Sequence, residues 1–135
     1  AMTVAGLGDD YMNQLGVWRE YMKLGMTTWG EDSKLTNTRS DCHAWSASPN
    51  IEFFRTVLGI DTDAPGFSRV RIAPHLGSLT QAEGSIPHPL GTIAVSYKLN
   101  KGKLRATITL PAGLSGTFVW KEQTTTLKPG KNVIQ

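Results

Sequence analysis

The residues best suited to chemistry lie between positions 25 and 46, where an acid, a histidine and two tryptophans share one stretch. Glu31 follows Trp29 by two residues, and His43 precedes Trp45 by two. A carboxylate can act as a general base that activates water, and an indole offers a flat apolar face to a sugar ring. Glycoside hydrolysis commonly needs two carboxylates on opposite sides of the bond. The stretch therefore gathers groups that a carbohydrate-handling site would use.

Each of these residues also has a simpler explanation. Glu31 could be a solvated carboxylate in an irregular loop, and composition alone favours that explanation. His43 could cap the helix that follows, or it could bind a substrate hydroxyl or orient a carboxylate. Arg39 and Asp41 could serve as further partners for sugar hydroxyls. The spacing alone does not decide between a loop and a site.

The remaining reactive side chains predict no further chemistry. Cys42 beside His43 could suggest a thiol nucleophile, but adjacent residues on a helix face different directions, so we expect Cys42 to be a small packing residue. This lone cysteine provides neither an intrachain disulfide nor a start for a structural zinc site. His75 and His88 lie in proline-rich stretches without further ligands, so we expect turn and interdomain residues. We predict neither a metal nor a cofactor.

Size and charge restrict the class of protein. A chain of 135 residues suits one domain, or a small domain with an appendage. The net charge of +3 comes from Lys and Arg spread without a dense basic run, so a nucleic-acid partner is not indicated. No apolar run reaches membrane-spanning length and no signal region begins the chain, so no membrane partner is expected. A periplasmic, secreted or cytoplasmic location stays open.

The N-terminal part has helical periodicity. Residues 1–6 read as the last turns of a helix with a glycine C-cap, and we hypothesise that the chain is the C-terminal piece of a longer protein. A helix is predicted from Asp9 to about Leu24, with an apolar face of Tyr11, Leu15, Trp18 and Met22. Residues 26–41 lose this period and predict a long loop. A second helix, broken near Pro49, carries the apolar residues Ile51, Phe54 and Leu58 and ends at Gly59.

After the turn-rich residues 61–66 the apolar period becomes two, which indicates strands. Residues 93–99 and 104–110 form the best-marked hairpin, and shorter strands are predicted at 69–72, 118–120, 124–127 and 132–134. Roughly seven antiparallel strands are typical of a β-sandwich. The predicted fold class is α+β, with helices in residues 1–60 and an antiparallel sandwich in residues 61–135. Trp18 and Trp120 lie on apolar faces, and we expect both to pack in cores.

Several segments resemble the bacterial α-L-rhamnosidases of glycoside hydrolase family 78. Residues 25–31 (Gly-Met-Thr-Thr-Trp-Gly-Glu) resemble the family's Gly-Ala-Thr-Thr-x-Trp-Glu segment, and residues 40–46 (Ser-Asp-Cys-His-Ala-Trp-Ser) resemble the Ser-Leu-Asn-His stretch that follows it. Residues 57–60, 64–67 and 72–77 are similar to the crossing into the family's C-terminal sandwich. The resemblance to the family extends over nearly the whole chain, and these segments are its most specific parts.

The resemblance implies an (α/α)6 barrel, whose last helices are present here, followed by an accessory sandwich. Glu31 then takes the general-base position, His43 the substrate-binding position, and Trp29 part of the wall around a rhamnose. The family inverts anomeric configuration, with a general acid upstream and the two carboxyls roughly 6.5 to 9.5 Å apart. That acid has no counterpart in this chain, so we predict that the isolated chain has no rhamnosidase activity.

Two departures from the family's pattern are visible. The tryptophan stands two residues before the glutamate instead of next to it, and Asp41-Cys42 replaces the Leu-Asn pair, which is consistent with a subgroup of another substrate preference. The expected partners are a rhamnose-containing oligosaccharide and the upstream barrel, with homo-oligomerisation through helix faces as a further expectation. The alternative is a noncatalytic carbohydrate-binding or structural β-sandwich module with a helical lead-in.

Overall fold

Short helices come first in the chain and two four-stranded sheets follow, in a computed structural model that describes residues 1–135. The helical segment comprises a 3₁₀ helix (Gly8–Leu15), α1 (Gly16–Lys23), a 3₁₀ turn (Ala44–Ala47) and α2 (Pro49–Glu52), which continues as a π-helical turn (Phe53–Val57). None of these helices is long and apolar enough to cross a bilayer.

Helix α1 ends where the sequence predicts, at Gly25. This glycine has φ +75°, and the N–H groups of Gly25 and Met26 donate to the carbonyls of Met22 and Tyr21, which is a Schellman cap. The buried face differs from the prediction, because Tyr21 is buried while Met22 is 64% exposed. The 3₁₀ helix before α1 has three residues per turn, and this rotates later residues away from a 3.6-residue pattern.

Gly6 ends the first helical turn with the same geometry. Its φ is +75°, and the N–H groups of Gly6 and Leu7 donate to the carbonyls of Thr3 and Met2. The predicted glycine cap is confirmed.

The second helix also buries a different face. Pro49 occupies its first turn as predicted, but Ile51 is 54% exposed and does not join the apolar face. The π-helical turn adds a residue to the turn and changes which side chains face inward. Phe54 and Leu58 still pack against the sandwich core, as predicted.

The strands form two stacked sheets, with the orders β1-β2-β6-β7 and β3-β4-β5-β8. The strand bounds are β1 Ile60–Thr62, β2 Arg69–Ile72, β3 Gln81–His88, β4 Gly91–Asn100, β5 Lys103–Leu110, β6 Ser115–Trp120, β7 Gln123–Leu127 and β8 Gly130–Ile134. All neighbouring pairs are antiparallel except β2 and β6, which run parallel. The expectation of a wholly antiparallel sandwich is therefore wrong for this one pair.

Strand β3 was not predicted from the sequence, because two of its inward-facing side chains are small. Its half-buried positions are Ala82, Gly84, Ile86 and His88, and a Cβ on Gly84 would lie 2.6 Å from the Leu58 side chain. The helix thus needs small residues beneath it, and these give a weak apolar alternation. His88 is the last residue of this strand and the first residue of the tight turn to β4, where it pairs with Gly91, so its place at a turn is as predicted.

The main core lies between the two sheets. It contains 15 buried residues, including Val70, Ile93, Ile108, Phe118 and Leu127. Tyr97 lies in this core and its hydroxyl donates to the carbonyl of Leu58 at 2.8 Å, which fixes the end of the helical segment. The helical segment has a separate cluster of only three buried residues, Tyr11, Leu15 and Val57. Trp18 and Trp120 are half-buried against the small cluster and the main core respectively.

Asp9 and His75 connect the helical segment to the sandwich. The Gly77 N–H donates to the Asp9 carboxylate at 2.9 Å, and His75 Nδ1 lies 3.8 Å from the other carboxylate oxygen. The backbone N–H of His75 donates to the carbonyl of Thr56 at 3.1 Å. His75 therefore joins the two regions, in agreement with the expectation of an interdomain residue.

Candidate functional site

The loop predicted for residues 26–41 is present and extends to His43, and its two arms lie side by side. The N–H of Glu31 donates to the carbonyl of Ser40 at 2.9 Å, and the N–H of His43 donates to the carbonyl of Trp29 at 2.9 Å. The Thr28 hydroxyl adds a bond of 2.6 Å to the carbonyl of Asp41. These bonds bring together the five residues singled out from the sequence, Trp29, Glu31, Arg39, Asp41 and His43.

Tyr21 anchors this loop to α1. Its hydroxyl donates to the carbonyl of Asp32, and a Cβ on Gly30 would lie 2.6 Å from that hydroxyl oxygen. Burial raises the pKa of Tyr21, and the negative charges of Asp32 and Asp41 raise it further. Tyr21 was not expected to be buried, because it lies one position before the apolar face predicted from the sequence. A glycine at position 30 was the available signal, since glycine often marks a close approach.

The carboxylate of Glu31 is held by Arg39. Arg39 Nε donates to one carboxylate oxygen at 2.8 Å, and a second guanidinium nitrogen donates to the other oxygen. The Glu31 side chain is only 20% exposed, whereas that of Arg39 is 81% exposed. The hydrogen bond to Glu31 is the main cause that raises the pKa of Arg39, and the charge of Glu31 adds to it. This bidentate pairing of the guanidinium with the carboxylate fixes the plane of the carboxylate.

His43 has an unsatisfied nitrogen. Nε2 is buried and has no hydrogen-bond partner, and the ring packs edge-to-face on Trp45 with centroids 5.1 Å apart. His43 makes no side-chain cap with the 3₁₀ turn that follows, so the capping explanation is wrong. A buried nitrogen without a partner costs about 1–3 kcal/mol. A ligand hydroxyl would remove that cost.

The other loop residues surround this centre less closely. Trp29 is half-buried, and Asp41 is exposed. Cys42 is also exposed, so the prediction that it is a packing residue is wrong. The segment around Cys42 is a bend that precedes the 3₁₀ turn, and it is not a helical start that could pack one face.

These residues do not enclose a pocket by themselves. A cavity of about 470 Å³ adjoins the loop and is lined by Asp41 and residues 24–28, but Glu31 and His43 do not line it. No group of three or more His, Cys, Asp or Glu side chains is placed to hold a metal ion. The loop can therefore offer a carboxylate, an imidazole nitrogen and two indoles to a sugar, but a closed site needs additional walls.

Solved rhamnosidases have the same fold. The GH78 family rhamnosidase of Bacillus sp. GL1 is 32% identical with a TM-score of 0.73, over 90% of this chain and 14% of that one. An α-L-rhamnosidase of Streptomyces avermitilis complexed with L-rhamnose is 15% identical with a TM-score of 0.70, over 84% of this chain and 14% of that one. The native α-L-rhamnosidase of Aspergillus terreus is 17% identical with a TM-score of 0.71, over 87% of this chain and 15% of that one. Because the Streptomyces and Aspergillus enzymes are less than 20% identical to this chain, their likeness shows the fold alone.

Sequence comparison identifies the family. An alpha-L-rhamnosidase of Alteromonas sp. (strain LOR) is 40% identical over 68 residues, which are 50% of this chain and 7% of that protein. The chain thus spans a small share of the relatives that it matches. A family model described as the bacterial alpha-L-rhamnosidase C-terminal domain matches residues 59–135, more than half of the chain. The chain therefore belongs to the bacterial alpha-L-rhamnosidase C-terminal domain family.

Proposed function

We propose that this chain is the C-terminal part of an inverting α-L-rhamnosidase that hydrolyses terminal rhamnosides, and that its loop supplies the general base. The observation that carries the proposal is the arrangement of Glu31, whose carboxylate is oriented by Arg39 on the same loop as the unpartnered nitrogen of His43. The likeness to the Bacillus enzyme supports it, because 90% coverage requires much of the helical segment as well as the sandwich.

The pairing of Glu31 with Arg39 supports the role of general base, because it leaves acceptor sites on the carboxylate. Each carboxylate oxygen offers two lone pairs, and Arg39 uses one on each oxygen, so a lone pair stays available for a water molecule. In the proposed reaction that water attacks the anomeric carbon while Glu31 takes its proton. The bond from the anomeric carbon to the leaving oxygen breaks on the opposite face, where a general acid protonates that oxygen. The configuration at the anomeric carbon is thereby inverted.

The neighbouring residues have binding roles in this proposal. His43 Nε2 pairs with a sugar hydroxyl, which satisfies its missing hydrogen bond. Trp29 forms part of the pocket wall, and Asp41 contacts a further hydroxyl. Arg39 is a positioning residue that acts through Glu31, in place of the direct sugar contact expected from sequence.

The general acid and the remaining walls belong to an upstream helical barrel in this proposal. Large exposed apolar side chains on the helical segment would be covered by that barrel. These are Val4, Leu7, Met22, Leu24, Leu35, Trp45, Ile51 and Phe53. A second copy of the chain could cover the same surface in isolation. Without the acid, the isolated chain releases no rhamnose from an aryl rhamnoside, and measurable release by the purified chain would contradict this.

The test of the base is Glu31→Gln in the complete enzyme. We expect kcat to fall about 10²- to 10⁴-fold, because proton abstraction is lost while the shape is kept. Asp32→Asn is the matched control, since it neutralises the adjacent exposed carboxylate and should leave kcat unchanged.

Rescue of turnover by azide is a second test. If Glu31 had only a structural role, azide would not restore the activity of a variant that lacks the carboxylate. Azide needs no deprotonation before it attacks, so it should restore turnover to Glu31→Ala and yield a rhamnosyl azide of inverted configuration. Full activity of Glu31→Gln, or no rescue of the alanine variant, would exclude Glu31 as the base.

A further inference from the structure

Helix α1 holds the base loop, residues 26–43, through two aromatic side chains. Trp18 and Tyr21 are three residues apart and therefore lie side by side on one face of the helix. Tyr21 is buried, and its hydroxyl donates to the backbone carbonyl of Asp32 within the loop. The indole N–H of Trp18 donates to the carbonyl of Ser46 at 2.7 Å, in the 3₁₀ turn that follows the loop. One face of α1 thus contacts both the loop and the turn after it.

The backbone is held on each side of Glu31 by a side-chain hydroxyl. The Ser46 hydroxyl donates to the carbonyl of Gly30 at 2.6 Å, immediately before Glu31. The Tyr21 hydroxyl donates to the carbonyl of Asp32, immediately after it. These are the side-chain hydrogen bonds that connect the base loop to residues outside it. The backbone around Glu31 is therefore fixed relative to α1 and the 3₁₀ turn.

The contact of Tyr21 with Gly30 leaves no room for a side chain. A Cβ at Gly30 would lie 2.6 Å from the Tyr21 hydroxyl oxygen and 2.9 Å from Cζ of its ring. Carbon atoms in favourable contact stand about 3.5–4.0 Å apart, so the second distance means a collision with the ring itself. Gly30 is also buried. The residue before Glu31 therefore packs directly on the Tyr21 ring, and the loop cannot move closer to α1.

Arg39 by itself does not fix where the Glu31 carboxylate stands in the protein. Its bidentate pairing sets the orientation of the carboxylate relative to the guanidinium. Both residues belong to the base loop, however, and a displacement of the loop would carry the pair with it. The position of the pair relative to the rest of the chain depends on the contacts that Tyr21 and Ser46 make with the loop.

We propose that Tyr21 is a positioning residue for hydrolysis, and that it determines where the Glu31 carboxylate stands relative to the attacking water. The inference rests on the proposed role of Glu31 as the general base. Tyr21 does not touch the reacting atoms, because it acts through the backbone of Gly30 and Asp32. A displacement of about 1 Å at a reacting group can lower a rate about 100-fold, so a small movement of the loop is sufficient to affect kcat.

The first test is Tyr21→Phe in the complete enzyme. This change removes the hydroxyl and keeps the ring, so the fold should be retained while kcat falls about tenfold. Tyr11→Phe is the matched control, because it removes the hydroxyl of another buried tyrosine of the helical segment, whose partner is the carbonyl of Pro49 outside the loop. It should leave kcat unchanged. An unchanged kcat for Tyr21→Phe, or equal losses in the two variants, would overturn the proposal.

Azide separates the positioning of the base from general support of the site. In Glu31→Ala the azide reacts without a base, so adding Tyr21→Phe should leave the azide-dependent rate unchanged within about twofold. An equal loss with and without Glu31 would mean that Tyr21 supports the whole site, and this would overturn the inference. No azide rescue of Glu31→Ala would instead contradict the proposed base and the inference with it, so the two failures are distinguishable.

Gly30→Ala tests the same contact from the loop. Its methyl group would collide with Tyr21, so kcat should fall about 100-fold. The loss on adding Gly30→Ala should be at least about threefold smaller in Tyr21→Phe, because the nearest colliding atom, the hydroxyl oxygen, is then absent. Independent losses that simply multiply would show that the two residues do not act through one contact, and would count against the proposal.

Discussion

The helical segment and the sandwich differ in how completely each closes its own core. Between the sheets 15 buried residues pack together, whereas the helical segment buries a cluster of three. Eight of the large exposed apolar residues precede Gly59, and only Leu90 and Val133 lie in the sandwich. Short helices are marginal without tertiary packing, while paired strands satisfy one another's backbone groups. The sandwich therefore supplies most of its own core, with Leu58 and Phe54 added from the helical segment, whereas the segment that carries the candidate base buries little by itself.

The largest effect is expected in the sandwich core. Ile108 is fully buried, so Ile108→Ala should lower the free energy of unfolding by about 2–5 kcal/mol through lost burial and a residual cavity. Val133→Ala is the control, because Val133 is 51% exposed and should change the value by less than about 0.5 kcal/mol. Urea denaturation measures both. Similar effects of the two variants would contradict the difference in packing.

A smaller effect is expected where Tyr97 joins the sandwich to the helical segment. Tyr97→Phe leaves the carbonyl of Leu58 unpaired and should cost about 1–2 kcal/mol. Tyr11→Phe is the comparison in the helical segment. Its bond to the carbonyl of Pro49 is long at 3.4 Å, so the cost should be below about 0.5 kcal/mol.

Tyr97 also predicts a loss of stability at alkaline pH. Burial raises the pKa of its hydroxyl far above the ordinary value of 10.0, so the folded chain keeps a proton that the unfolded chain releases. The stability is unaffected below about pH 10 and falls above it, by up to about 1.4 kcal/mol per pH unit. We expect the free energy of unfolding, measured by urea denaturation between pH 8 and about 11, to fall less steeply with pH for Tyr97→Phe than for the unmodified chain. An unchanged alkaline slope would exclude Tyr97 as its source.

In the helical segment we expect a local effect. Leu15→Ala removes one of the three members of the small cluster, so the amides of α1 should exchange hydrogen faster. The free energy of unfolding of the sandwich should change by less than about 1 kcal/mol. Hydrogen exchange by mass spectrometry separates the two regions. A large shift of the sandwich would mean that the regions unfold as one unit.

The smallest effect concerns the connection between the regions. Asp9→Asn weakens the interaction with His75 and alters the acceptor for the Gly77 N–H, with an expected cost of about 0.5 kcal/mol because Asp9 is largely exposed. Asp10→Asn is the matched control on the adjacent residue. Faster exchange confined to residues near Gly77 and the 3₁₀ helix would support this connection, and identical exchange in both variants would argue against it.

Strand prediction from sequence succeeded where the period was regular. The β4 and β5 hairpin was predicted closely, because both strands alternate buried and accessible residues and are joined by a turn containing Gly102. β3 was missed because the helix packs above Gly84 and the inner face needs small residues. The parallel pairing of β2 and β6 depends on residues far apart in the chain, which no local pattern encodes.

The sequence by itself determined the α+β order, the glycine that ends α1 and the residue types of the candidate site, because these follow from local backbone preferences and side-chain chemistry. Tertiary structure decided which helix faces are buried, since 3₁₀ and π turns changed their register. It also paired Arg39 with Glu31 and left His43 Nε2 without a partner. Those two features arise from the approach of the two loop arms, and an approach in space is set by packing and backbone hydrogen bonds that sequence spacing does not contain.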